Sequence, residues 1–165
     1  MATVTLKGNE IQTLGELPAV GSKAPNFSLT AGDLSVKTLE DFSGSKVVLN
    51  IFPSLDTGTC AQSVRQFNKE ASALENTKIL CISRDLPFAQ GRFCGAEGLE
   101  NVINLSDYTN GNFGKDYGLI FINGPLDALL SRCVIVLDEN GIIQYTEQVP
   151  ETVDEPNYKA AIDAL

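Results

Sequence analysis

An α/β fold, with a central mixed β-sheet flanked by helices and an N-terminal β-hairpin in front of it, is what this sequence predicts. Three observations carry the prediction. Two β-branched apolar runs, Lys46 to Phe52 and Lys78 to Ile82, enclose a segment whose apolar residues recur at helical spacing. Two further runs, Arg132 to Leu137 and Ile142 to Glu147, flank the turn-forming Asp138-Glu139-Asn140-Gly141. The chain has 165 residues and is 43% apolar, enough for one substantial core and too short to promise two, so residues 1–165 are expected to form a single domain.

The elements follow in order. Thr3 to Leu6 and Glu10 to Thr13 alternate on either side of Gly8-Asn9 and predict a hairpin turning there. Pro18 and Pro25 punctuate a loop, and a short extended piece runs from Asn26 to Thr30. Lys46 to Phe52 has the composition of a buried central strand, and Pro53 ends it because proline offers no N–H to a ladder. From Thr59 to about Leu74, Cys60, Val64, Phe67, Ala71 and Leu74 fall on one helical face. Lys78 to Ile82 then completes a βαβ unit, which predicts parallel strands and a right-handed crossover. Leu86 to Gly118 is rich in glycine and loop residues, with a short helix predicted from Pro87 to Phe93 and a strand from Val102 to Leu105. After the C-terminal hairpin, a helix is expected from Pro156 onward. The order βαβ, insertion, ββα is thioredoxin-like, and in such sheets chemistry sits in the loop after the first central strand, where Cys60 lies.

Composition excludes several classes of function. Lys and Arg number 12 against 21 Asp and Glu, a net charge of −9, with no basic cluster to engage nucleic acid or an anionic membrane. No apolar run approaches the roughly 18 residues of a membrane span. The first eight residues lack the apolar core of a secretory signal, so the cytoplasm is the expected compartment, where disulfides are not structural by default. The chain has no histidine, which removes Ser/His and Cys/His catalysis and any histidine-containing zinc site. Four cysteines remain as the reactive groups.

Cys60, Cys81, Cys94 and Cys133 are 21, 13 and 39 residues apart, so none pairs at the short spacing of a metal knuckle or a Cys-x-x-Cys dithiol, and no metal is expected. Cys81 and Cys133 sit inside predicted strands and read as small core hydrophobes. Cys60 falls in the first turn of a predicted helix, where free N–H groups and the dipole favour an anion by about 0.3–1 kcal/mol. An ordinary thiol, with a pKa of about 8.5, is only about 3% ionised at pH 7, and moving it by three units takes about 4 kcal/mol. The helix end falls short of that. Among Arg65, Arg84, Arg92 and Arg132, Arg65 points elsewhere along the helix, whereas Arg132 opens a central strand that could run beside the loop. Thr57 either caps the helix or turns its hydroxyl toward the sulfur, and the two roles can coexist. Cys94 lies among Gly91, Gly95 and Gly98, in a segment able to rearrange, and is a candidate partner for an oxidised Cys60.

Pro53-x-x-x-Thr57-x-x-Cys60 resembles the peroxidatic signature of the peroxiredoxins, and the segment Asn50 to Arg65 is similar to the bacterial thiol peroxidase subfamily, an atypical two-cysteine group. The likeness also takes in Val20 to Phe27 and Ser131-Arg132-Cys133. It implies a thioredoxin-like fold and a peroxidase that reduces hydrogen peroxide and alkyl hydroperoxides through a sulfenic acid without a cofactor. It further implies Cys60 as the peroxidatic thiolate, Thr57 as its hydrogen-bonding partner, Arg132 as the stabilising charge and Pro53 as a shield over the pocket. Phe93-Cys94-Gly95 matches the subfamily's resolving segment, which implies a Cys60–Cys94 disulfide reduced by thioredoxin, with a homodimer as the usual assembly. Cys81 corresponds to a third family cysteine not needed for turnover, and Cys133 has no role in the motif. Two other readings compete. Cys60-Ala61-Gln62-Ser63 has the Cys-x-x-Ser form of a glutaredoxin-like oxidoreductase, and a sensor module could use the same thiol once.

Overall fold

The computed structural model describes residues 1–165. Its first element is the hairpin of β1 (Thr3–Leu6) and β2 (Asn9–Gln12), antiparallel with Leu6 opposite Asn9. The turn is therefore Lys7-Gly8, one residue earlier than Gly8-Asn9. Both turn residues have positive φ, 51° and 82°, the backbone that matches strand twist in a two-residue hairpin.

Seven strands form the main sheet: β3 (Ser28–Ala31), β4 (Val36–Thr38), β5 (Lys46–Ile51), β6 (Thr77–Ser83), β7 (Ile103–Ser106), β8 (Cys133–Leu137) and β9 (Ile143–Gln148). Their order is β4-β3-β7-β6-β5-β8-β9. β5, β6 and β7 are parallel, while β8 runs antiparallel to β5 and β3 antiparallel to β7, so the sheet is mixed. β4 escapes sequence reading because it has three residues, one of them an exposed valine.

The helices are α1 (Gly58–Ala71), α2 (Pro87–Glu97), α3 (Asn112–Asp116) and α4 (Tyr158–Asp163). α2 continues past Phe93 to Glu97 and closes on Gly98, whose φ of 68° provides the left-handed C-cap. Cys94 thus belongs to a helix and not to a loop. α3 is a five-residue helix inside the stretch that reads as loop from sequence, too short to show a period.

Two apolar clusters sandwich the sheet. On one face Val64 and Phe67 of α1 and Ala161 of α4 pack with Val48, Ile79, Cys81, Val134 and Val136, and Phe67 meets Tyr158 edge to face with ring centroids 5.1 Å apart. On the other, Phe27, Phe113, Tyr117, Leu119 and Leu130 cover Leu49, Ile51, Leu80, Ile82 and Ile135. Alternate residues of β5 serve the two faces, as strand geometry requires. The hairpin adds a small cluster of Val4, Ile11 and Phe121.

Candidate active site

Ile51, the last residue of β5, lies opposite Cys133, the first of β8. This antiparallel register puts the residue before β8, Arg132, beside the loop that leaves β5. That loop starts with buried Phe52 and Pro53 and is tied to the end of β6 by Asp85, whose carboxylate accepts hydrogen bonds from Ser54 Oγ (2.7 Å), the Leu55 N–H (2.8 Å) and Ser83 Oγ (2.7 Å). The chain then enters α1 with Thr57 as N-cap, which makes Cys60 the third residue of the first turn, among the N–H groups that lack partners within the helix.

Cys60 is fully buried and Arg132 is 3% exposed. Arg132 Nη2 donates to Cys60 Sγ at 3.3 Å and Nε to the Thr152 carbonyl at 2.9 Å, while the buried Nη1 has no partner. A guanidinium gripped at one nitrogen, touching a sulfur with the second and keeping the third free can stabilise a thiolate and still donate to an incoming oxygen.

The Thr152 carbonyl is in turn fixed by the N-terminal hairpin. Thr5 N–H donates to the Pro150 carbonyl at 2.8 Å, and the Thr152 N–H to the Thr5 carbonyl at 2.7 Å. Glu151 accepts from Thr5 Oγ1 (2.7 Å) and from the N–H groups of Lys7 (2.9 Å) and Gly8 (3.0 Å). The Thr5 hydroxyl bond, then the backbone donors, hold this carboxylate down at about 2. The carbonyl of Val153, the residue after Thr152, accepts from Thr59 Oγ1 at 2.8 Å, so one strap touches the hairpin, the arginine and the head of α1. Neither Thr152 nor Glu151 carries a sequence signal for this, because their partners lie about 145 residues away.

Thr57 is exposed, three residues before the buried Cys60. Its hydroxyl donates to the Ser54 carbonyl at 3.0 Å and makes neither a side-chain cap to α1 nor a hydrogen bond to Cys60 Sγ. With its proton engaged by the loop, its remaining capacity is to accept.

Cys94 is buried on α2, and its sulfur accepts from Asn104 Nδ2 at 2.9 Å, while Cys60 Sγ has Arg132; the two thiols are free and unbonded. Burial pushes the Cys94 thiol up, opposed by the Asn104 donor and reinforced by nearby Glu97. Asn104, Cys81 and Asn50 are register partners on β7, β6 and β5 and share one face of the sheet. Asn50 Nδ2 reaches Ser63 Oγ (3.2 Å) and Cys81 Sγ (3.7 Å), and Ser63 Oγ donates to the Cys60 carbonyl (2.8 Å). Cys81 and Cys133 are both driven up to about 12 by burial, as expected of core thiols. A cavity of about 500 Å³ between Lys23, Phe42, Leu137 and Gly141 lies apart from this site and includes none of its residues.

A family model described as Redoxin matches residues 19–162. The chain is 55% identical over 165 residues to a thiol peroxidase of Mycobacterium tuberculosis and 53% identical to one of Corynebacterium glutamicum, covering 100% of this chain and 99% of each relative. Among solved structures it resembles a peroxiredoxin-like protein from Aquifex aeolicus, with a TM-score of 0.93 at 34% identity over 99% of this chain and 95% of that one. A thiol peroxidase from Chromobacterium violaceum has the same fold, with a TM-score of 0.90 at 23% identity over 98% and 93% of the two chains.

Proposed function

The chain belongs to the redoxin family, and on that premise we propose that its thiol-dependent reduction of peroxides runs through Cys60 as the attacking thiolate and Cys94 as the resolving thiol. The observation that carries this reading is the contact of Arg132 Nη2 with Cys60 Sγ at 3.3 Å, in a site where both residues are buried.

In the first step the Cys60 thiolate attacks the terminal oxygen of a hydroperoxide. A sulfur–oxygen bond forms, the oxygen–oxygen bond breaks with its electron pair on the departing oxygen, and that oxygen takes a proton and leaves as alcohol or water. Negative charge moves from sulfur toward the leaving oxygen. Arg132 follows it, because Nη2 already faces the sulfur and the unpartnered Nη1 has a hydrogen bond to give. Thr57, with its own proton held by Ser54, accepts from the incoming hydroperoxide and orients it. Pro53 walls the pocket from water.

In the second step the Cys94 thiolate attacks the sulfenic sulfur, the sulfur–sulfur bond forms and hydroxide departs to be protonated as water. Cys60 lies in the first turn of α1 and Cys94 inside α2, each sulfur held by a different donor, so closing a disulfide, which needs Cα atoms about 4.4–6.8 Å apart, is expected to unwind α2, the first turn of α1, or both. An external dithiol of the thioredoxin type then reduces the bond. We read residues 1–165 as one functional unit and, from the resemblance to bacterial thiol peroxidases, as a homodimer of the cytoplasm; no helix is long and apolar enough to cross a membrane.

Intact mass after one equivalent of peroxide tests the assignment. Wild type is expected to lose two mass units, Cys94→Ser to gain one oxygen, and Cys60→Ser to stay unchanged. A Cys60→Ser protein that still consumes peroxide refutes it.

A further inference from the structure

The helix that carries Cys94 is held unusually lightly. Of the eleven residues of α2 only Pro87, Gln90 and Cys94 are buried. Gly91 and Gly95 face open space, where a Cβ would meet nothing within 4 Å, so packing does not require them, and each weakens the helix relative to alanine. Beneath it, Gln90 Nε2 donates to the Leu105 carbonyl at 2.9 Å and Asn104 to the Cys94 sulfur. Across its outer side there are two further ties. Arg92 Nη2 reaches Asp56 Oδ1, in the loop before α1, at 3.4 Å with both groups largely exposed, and this is the weaker one. Arg65, on the helix that carries Cys60, makes a two-pronged ion pair with Glu97 in the last turn of α2, Nε to Oε2 and Nη2 to Oε1, both at 2.6 Å. Its guanidinium also lies over the Phe93 ring, 5.5 Å from the centroid. The planar fork is therefore engaged at its edge and on its face, both times by residues that neighbour Cys94.

We infer that Arg65 is a positioning residue for the resolving step: with Glu97 and Phe93 it clamps α2 to α1 in the reduced enzyme and so sets how fast Cys94 reaches an oxidised Cys60. This rests on the assignment of Cys94 as the resolving thiol. With α2 as the segment that moves, the clamp opens before the sulfurs bond. While it is closed the sulfenic acid of Cys60 waits, and a second molecule of peroxide can convert it to sulfinic acid, adding one oxygen and releasing alcohol or water. The strength of the clamp thus partitions Cys60 between disulfide and over-oxidation, and because the pair is partly exposed its strength falls with salt.

The test is rapid-quench intact mass on the full chain, following the one-oxygen species and its decay to the disulfide. For Arg65→Gln, disulfide formation is expected to be about three- to thirtyfold faster, the range open to one exposed bidentate pair plus a cation–π contact. The yield of sulfinic acid at excess peroxide falls with it, and the rate of the first oxidation is unchanged. Arg65→Gln also leaves Glu97 unpaired beside Cys94, which by charge alone would raise the Cys94 thiol further and slow its attack. Acceleration therefore speaks for the clamp and retardation overturns it. In wild type the disulfide rate should rise between low and moderate ionic strength, and in Glu97→Gln most of this response should be lost, the remainder belonging to the exposed Arg92–Asp56 pair. The charge swap of Arg65→Glu with Glu97→Arg should return the rate toward wild type. If wild type forms the disulfide but neither salt nor Arg65→Gln changes its rate, the clamp is refuted alone. If wild type stops at one added oxygen, the resolving assignment fails and the clamp with it.

Discussion

Replacing Arg132 with methionine keeps most of the buried volume and removes the charge. At 3.3 Å and an effective dielectric of about 20, a full charge pair of guanidinium and thiolate is worth about 5 kcal/mol, an upper figure before the cost of burying both. Part of that supports the ground-state thiolate and part follows the charge onto the leaving oxygen, so about 3–4 kcal/mol of transition-state stabilisation is at stake. The second-order rate with hydrogen peroxide should drop by about 100- to 1,000-fold, at 1.36 kcal/mol per factor of ten. Single-turnover peroxide consumption measures this, and iodoacetamide alkylation of Cys60 at pH 7 should slow in parallel. Stability should move little. The variant loses the bond to the Thr152 carbonyl but also the desolvation of an arginine whose Nη1 finds no partner. Arg132→Lys should recover only part of the rate, because an ammonium cannot hold the Thr152 carbonyl and the sulfur in one planar fork. An Arg132→Met enzyme within threefold of wild type at unchanged fold would refute the role of this contact.

Three further outcomes follow from the packing. Cys81 and Cys133 ionise near 12 when folded against about 9 when unfolded, so the unfolded chain releases these protons first as pH rises. The contribution of these two thiols to stability should be constant below about pH 9 and fall by about 1.4 kcal/mol per pH unit per thiol between 9 and 12; Cys133→Ala should make urea midpoints fall less steeply there. Glu151, held down to about 2 by the Thr5 hydroxyl and then by backbone donors, contributes stability present above its unfolded value near 4.5 and lost as pH falls toward 2. Glu151→Gln should lower the urea midpoint at pH 7, and the gap to wild type should close in acid. Phe67→Ala removes a fully buried ring that meets Tyr158 edge to face and should cost about 3–5 kcal/mol in equilibrium unfolding, with a loss below 1 kcal/mol contradicting the described core.

The central strands and the helix of Cys60 are legible from sequence because β5, β6 and β8 are near-continuous apolar runs, α1 carries a helical period, and the turn at Asp138 to Gly141 marks β9. Three-residue β4 and five-residue α3 are too short to show one, and the end of α2 was misplaced because its glycines read as loop while its cap at Gly98 and its dock on β7 keep it helical. The chemistry was legible in the same way: a chain without histidine, with one cysteine at a helix start after Pro53 and Thr57 and one arginine opening a strand, has few ways to activate a thiol. What sequence alone determined is therefore the set of reactive groups and the order of elements, since both are local properties of composition and spacing. Only the tertiary structure decided which groups meet. The antiparallel register of β5 and β8 brings Arg132 to Cys60, the strap from Pro150 to Val153 fixes that arginine through a backbone carbonyl, and Asn104 and Arg65 take hold of Cys94 and its helix. These are contacts between residues 10 to 72 positions apart, set by strand pairing and burial, and no local pattern encodes them.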